Sequence, residues 1–242
     1  FSAVREPELP ASPENAGPLG MLGEGLGMLA RDIHFRRLLI ARGTLSLWFA
    51  AAPFITLFAV RELGGSARTA GTFLLVRMAG FVVANLLWHR VSRREGDHVL
   101  MRIGAAGCAG LTLAAALIAV LSPWRLGWLA AGPAVLALEV VFFLGGATQS
   151  AITAGYSSLM LLLAPPGRRP AFIGLINTFL GPIMLLPMLG GALVDLVGAP
   201  ILFALCAAAA LVGVRAAWRL PPSRSGADAG AGLEPEGPGH AG

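Results

Sequence analysis

The sequence predicts an all-α membrane protein, a bundle of six transmembrane helices, and three observations predict it. Of the 242 residues, 56% are hydrophobic and only 13% charged, and the mean hydropathy is +0.73, more apolar surface than a soluble domain of this size can hide. The apolar residues form runs of about 18 or more, enough to cross a hydrocarbon layer about 30 Å thick. The short polar segments between the runs are rich in arginine.

The elements follow in order. Residues 1–37 read as a cytoplasmic linker, because Pro7, Pro10, Pro13 and Pro18 stand among carboxylates in a stretch too polar to order itself. Its second half carries an amphipathic helix, with Leu22, Leu26, Leu29, Ile33 and Leu38 at helical spacing and Asp32, Arg36 and Arg37 on the other side, suited to the membrane surface. The bundle occupies 38–219, with spans predicted at 38–60, 70–88, 99–121, 129–150, 171–195 and 199–219. The fourth is expected to continue as a helix toward Ala164, where Pro165 and Pro166 stop it. The tail, 220–242, is rich in Gly, Ala, Pro and Glu and reads as disordered. The chain opens on Phe1 without an initiator Met, as a piece of a longer protein would.

All 18 basic residues are arginines. Without lysine there is neither a P-loop lysine nor a Schiff-base lysine, which excludes those routes to ATP hydrolysis and pyridoxal chemistry. The arginines flank apolar runs instead of lining a soluble face, so nucleic acid is not the expected partner. They set topology instead. Arg31, Arg36 and Arg37, then Arg90, Arg93 and Arg94, then Arg168 and Arg169, then Arg215, Arg219 and Arg224 lie on one side, against Arg61, Arg68 and Arg125 on the other. By the positive-inside rule both termini are cytoplasmic, with Trp88 and Trp218 at inner ends of spans and Trp124 and Trp128 at an outer end.

Cys108 and Cys206 sit among Ala and Gly inside spans and read as packing residues, while His34, His89, His98 and His240 lie outside the spans. That leaves no ligand set for a metal and no cofactor site. Gly155-Tyr-Ser157-Ser-Leu lacks the second Gly of a nucleophile elbow, and Gly23-Glu-Gly25-Leu-Gly27-Met lacks the final Gly of a dinucleotide loop. The chain is not expected to be an enzyme.

The segment Asn85-Leu-Leu-Trp-His89-Arg90-Val-Ser92-Arg93-Arg94 resembles the Gly-x-x-x-Asp-Arg-x-Gly-Arg-Arg loop of the major facilitator superfamily, with Asn85, His89 and Ser92 in place of Gly, Asp and Gly. Val4-Arg5-Glu6-Pro7 and Asp32-x-x-Phe35-Arg36 resemble the linker between that family's two six-helix halves. Span five, with Gly174, Gly181-Pro182, Pro187-x-x-Gly190-Gly191 and Asp195, resembles its eleventh helix. The resemblance implies the C-terminal half of a twelve-helix transporter, two three-helix repeats partnered by an N-terminal half, with Arg90, Arg93 and Arg94 in a gating loop. Span five then supplies a hinge or packing face through Gly181, Pro182, Pro187, Gly190 and Gly191.

Charges inside hydrocarbon are functional candidates because each costs about 2.5 to 3.5 kcal/mol to insert. Arg77 and Glu139 each lie about 12 Å below the outer ends of spans two and four, so depth predicts a pair that binds substrate or a proton. Trp48 on span one, Gln149 on span four and Asn177 on span five are further candidates for lining a solute site, and Thr153 and Tyr156 add polar groups to the inner half. Arg42, near the inner end of span one, reads as an anchor that snorkels to headgroups.

The expected activity is secondary active or facilitative transport of a small solute, with proton coupling one option, across a bacterial inner membrane by alternating access. The alternative is a six-helix scaffold or assembly subunit that moves nothing. The substrate is not legible, because fold does not dictate solute.

Overall fold

A backbone surrounded by hydrocarbon must satisfy its hydrogen bonds internally, and here it does so as helix. The computed structural model describes residues 26–221 apart from 28, 30, 123–125 and 165–168. The linker 1–18, Trp124, Arg125, Arg168 and the tail beyond 221 lie outside the described residues. Within them, the regular structure is helical: α1 (Ile33–Arg61), α2 (Ala67–Glu95), α3 (Asp97–Leu121), α4 (Ala131–Leu163), α5 (Arg169–Leu180), a 3-10 turn (Gly181–Leu185), α6 (Leu186–Val197) and α7 (Ala199–Trp218).

Five of these, α1 to α4 and α7, are long and apolar enough to cross a membrane. The predicted fifth span is assembled differently, from two 12-residue helices joined by the 3-10 turn. Gly181-Pro182 and Pro187 explain the break, since each proline removes a donor and clashes with the preceding turn. α4 runs to Leu163, past the hydrocarbon, as its uninterrupted pattern predicts.

One boundary differs. Ile33 to Arg37, expected on the surface helix, form the first turns of α1. Asp32 caps that helix, its Oδ1 accepting from the backbone N–H groups of His34 at 2.8 Å and Phe35 at 3.1 Å. Phe35 is fully buried and packs on Phe172 of α5, with ring centroids 5.1 Å apart. That aromatic contact, invisible to periodicity, pulls the segment off the surface and into the bundle.

The packing has an internal two-fold. Exchanging α1 with α4, α2 with α5–α6 and α3 with α7 maps the main interfaces onto each other: α1–α7 onto α4–α3, α2–α4 onto α5–α6 against α1, and α3–α7 onto itself. The connections obey it too. A single glycine turns α2 into α3 (Gly96, φ 86°) and α6 into α7 (Gly198, φ 82°), a left-handed conformation that only glycine adopts cheaply. The core along this axis is built from Ala, Leu, Cys108 and Phe203.

Candidate functional site

α4 is the spine of the site, and its register assigns each face to a neighbour. Gly80 of α2 lies against the Phe143 carbonyl and Gly146 against the Arg77 carbonyl, so close that a Cβ at either would overlap the opposite backbone. Phe73 stacks on Phe142 at 4.6 Å, and the Ser150 hydroxyl donates to Asn85 Oδ1 at 2.7 Å. α3 takes another face, with Gly104 on Ile152 and Gly107 on Thr148. Toward α1, Gly145 receives the Trp48 ring, where an added Cβ would come within 2.6 Å of an indole carbon.

Gln149 falls between these faces. It is four residues beyond Gly145, about 40° around α4 toward α2. Its Oε1 accepts two bonds from Arg77, at 2.7 Å from a terminal nitrogen and 3.2 Å from Nε. Tyr156 is seven residues further, within about 20° of the same direction and about 10 Å along the axis. The Arg42 guanidinium lies over its ring, 4.9 Å from the centroid. α2 packs closely on α4 whereas α1 touches both only sparsely, and Trp48, Arg42, Tyr156, Gln149 and Arg77 lie along these contacts with α4. Both arginines are half-buried.

Two expectations change. Arg77 was matched with Glu139 by depth, but two of its hydrogen bonds go to Gln149, ten residues and about 15 Å further toward the C-terminal end of α4. The register of the two helices decides: the Arg77 carbonyl lies against Gly146, about one turn from Gln149 and two turns from Glu139. Arg42 is no snorkelling anchor, because its charged end folds onto Tyr156 inside the bundle. Sequence reasoning missed that contact; the available signal was an arginine and an aromatic at matching inner depth on spans one and four. Glu139 is half-buried on α4, and Asn177 is exposed on α5.

The family model of the Major Facilitator Superfamily matches residues 38–238. The chain belongs to that superfamily. No curated protein and no solved structure matches it. As a major facilitator protein it is a multi-pass membrane protein of solute transport.

The segment that resembles the superfamily loop is helix as far as Glu95 and turns at Gly96. Arg90, Arg93 and Arg94 are exposed on the last turns of α2, and the Ser92 hydroxyl bonds to the Asp97 carboxylate across the Gly96 turn. An acid thus stands beside the loop, five residues after the serine, although His89 occupies the motif's usual acidic position. Trp88 is half-buried and donates from Nε1 to the Ala147 carbonyl at 2.8 Å, tying the loop end of α2 to α4. At the C-terminal end of α7, Arg37 donates to the Arg219 carbonyl at 2.8 Å and Arg102 to that of Trp218 at 3.3 Å, so two arginines cap a helix C-terminus. In the hinge segment Gly181 and Pro182 are exposed, Gly190 is buried against Phe54 of α1, and Gly191 has open space beside it. The Pro187 side chain lies outside the described residues.

Proposed function

We propose that the chain carries a small solute across the bacterial inner membrane by alternating access, as the C-terminal six-helix half of a twelve-helix transporter, with both termini cytoplasmic. The observation that carries the reading is the Arg77–Gln149 node. A charged side chain at hydrocarbon depth is half-buried and bonded to the Gln149 amide of α4, on the side where α1 has only sparse contact with α2 and α4. Solute binds beside that node, on the side that faces the N-terminal half, with Trp48 nearby on α1. Glu139, further outward on α4, is the one carboxylate in span four and serves as the proton site if transport is proton-coupled. The exposed Arg90, Arg93 and Arg94 form the cytoplasmic gate, and the broken α5–α6 segment, with Gly181, Pro182, Pro187, Gly190 and Gly191, bends as the halves rock.

The test is flux in cells carrying the transporter. Gln149→Leu, which keeps the side chain's size and removes its acceptor, should cut solute flux at least tenfold while leaving the protein inserted and monodisperse. Wild-type flux from Gln149→Leu would remove the Arg77–Gln149 node from the transport path. No flux of any solute, in the presence of a second six-helix half, would favour the scaffold reading.

A further inference from the structure

Two apolar grooves mark the surface of the bundle, and what stands at their ends separates them. One, of about 460 Å³ between α2, α3 and α4, is bordered by Gly80, Gly107, Gly110 and apolar side chains with no charged group among them, so it commits to no particular occupant. The other, of about 380 Å³, runs between α1 and α5 as far as the 3-10 turn, and an exposed arginine, Arg36, stands at its end.

Helix register builds this second groove. Arg36, Ile40, Gly43 and Leu47 fall at i, i+4, i+7 and i+11, one stripe of α1, while the opposite stripe of Leu38, Ala41 and Leu45 is fully buried in the core. Phe179 at the end of α5 and Ile183 in the 3-10 turn form the facing wall. Gly43 is the floor, since an added Cβ there would come within 2.9 Å of an Ile183 methyl. The Thr44 hydroxyl is turned back to the Ile40 and Ala41 carbonyls, at 2.7 and 3.1 Å, and offers the groove no polar group.

Its length and its charged end match one leaflet. From Arg36 to Leu47 is about 16 Å along the helix, half of a hydrocarbon layer about 30 Å thick. Arg36 stands at headgroup level, because its neighbour Arg37 donates to the Arg219 carbonyl beside the exposed Trp218, and arginine with tryptophan at one level marks the interface. Arg102 reaches the same end of α7, and Asp32, the nearest carboxylate in sequence, is engaged in capping α1. A guanidinium fork suits phosphate oxygens, and a cluster of arginines at this level favours a headgroup with net negative charge over a zwitterionic one.

We propose that the groove between α1 and α5 holds one acyl chain of an anionic phospholipid, with the lipid phosphate on Arg36. The chain lies along Ile40, Gly43 and Leu47 and ends against the 3-10 turn of the broken span. Lipid binding is the readout, so the outcome is independent of whether any solute is carried.

The protein is purified in detergent and titrated with phosphatidylglycerol and with phosphatidylcholine of the same acyl chains, bound lipid being counted by native mass spectrometry. One phosphatidylglycerol should bind saturably, about five- to tenfold more tightly than phosphatidylcholine, as one arginine–headgroup contact allows. Free glycerol phosphate, a headgroup without a chain, should not compete. Arg36→Gln should abolish the preference and leave phosphatidylcholine unchanged, whereas Ile40→Trp, which fills the groove from its exposed side, should weaken both lipids. Arg61→Gln, at the other end of α1, should change neither. If Ile40→Trp does not fold, Arg36→Gln decides. Equal affinity for the two lipids, an undiminished preference in Arg36→Gln, or wild-type binding by Ile40→Trp would each overturn the proposal. So would a photoreactive phenylalanine analogue replacing Ile40 in membranes that labels protein instead of lipid, since the groove would then be covered by the other six-helix half or a second copy of the chain.

Discussion

The internal two-fold invites a comparison of two equivalent seams, α2 on α4 and α5–α6 on α1. In the first, both helices are unbroken and glycines at 80 and 146 let backbone touch backbone, so the pair is held by dispersion over a long, rigid contact. In the second, the partner of α1 is interrupted by the 3-10 turn at Gly181–Leu185, and the close approach is Gly190 against the Phe54 ring, a side chain that can rotate. A groove of about 380 Å³ lies alongside it. One topology thus builds a fixed seam and a yielding one, and the difference lies in what each glycine faces.

Substituting those glycines breaks the comparison most directly. Gly146→Leu places a side chain where the Arg77 carbonyl stands, and neither backbone can give way without separating the helices. We expect a loss of about 3 kcal/mol or more and collapse of the monodisperse yield in detergent. Near-native stability would mean the seam is not backbone on backbone. At the yielding seam, Gly190→Ala should cost about 1 kcal/mol, because Phe54 turns aside, and Phe54→Leu in the same chain should recover most of it. Denaturant titration of the single and double variants measures the recovery; additive losses would show that glycine and ring do not meet. The smallest effect is expected at the adjacent residue. Gly191→Ala meets open space and gains helix propensity, so stability should stay within about 0.5 kcal/mol of wild type. A large loss there would place a partner surface against α6.

The polar contacts along α4 obey a different logic from either seam. Trp48, Arg42 and Arg77 meet α4 at Gly145, Tyr156 and Gln149 because of the register of the helices, not because they are neighbours in sequence. Arg77 and Gln149 are 72 residues apart. Removing Gln149 should leave the glycine seam, and hence folding, largely intact while lowering solute flux.

What the sequence by itself determined is the part governed by one-dimensional rules. Hydrocarbon thickness sets run length, so the positions of the spans were legible, as was the continuation of α4 to Leu163. Proline chemistry marked Gly181-Pro182 and Pro187 as the weak point of span five, though not that it would break into two helices and a 3-10 turn. Tertiary structure alone decided which glycines meet backbone and which meet space, since Gly146 and Gly191 look alike in a string of letters. It also gave Arg77 to Gln149 instead of Glu139, and Arg42 to Tyr156 instead of the headgroups. Depth is a single coordinate along the membrane normal, whereas a hydrogen bond depends on the rotation of each helix about its axis and on the direction a long side chain takes, and packing sets both.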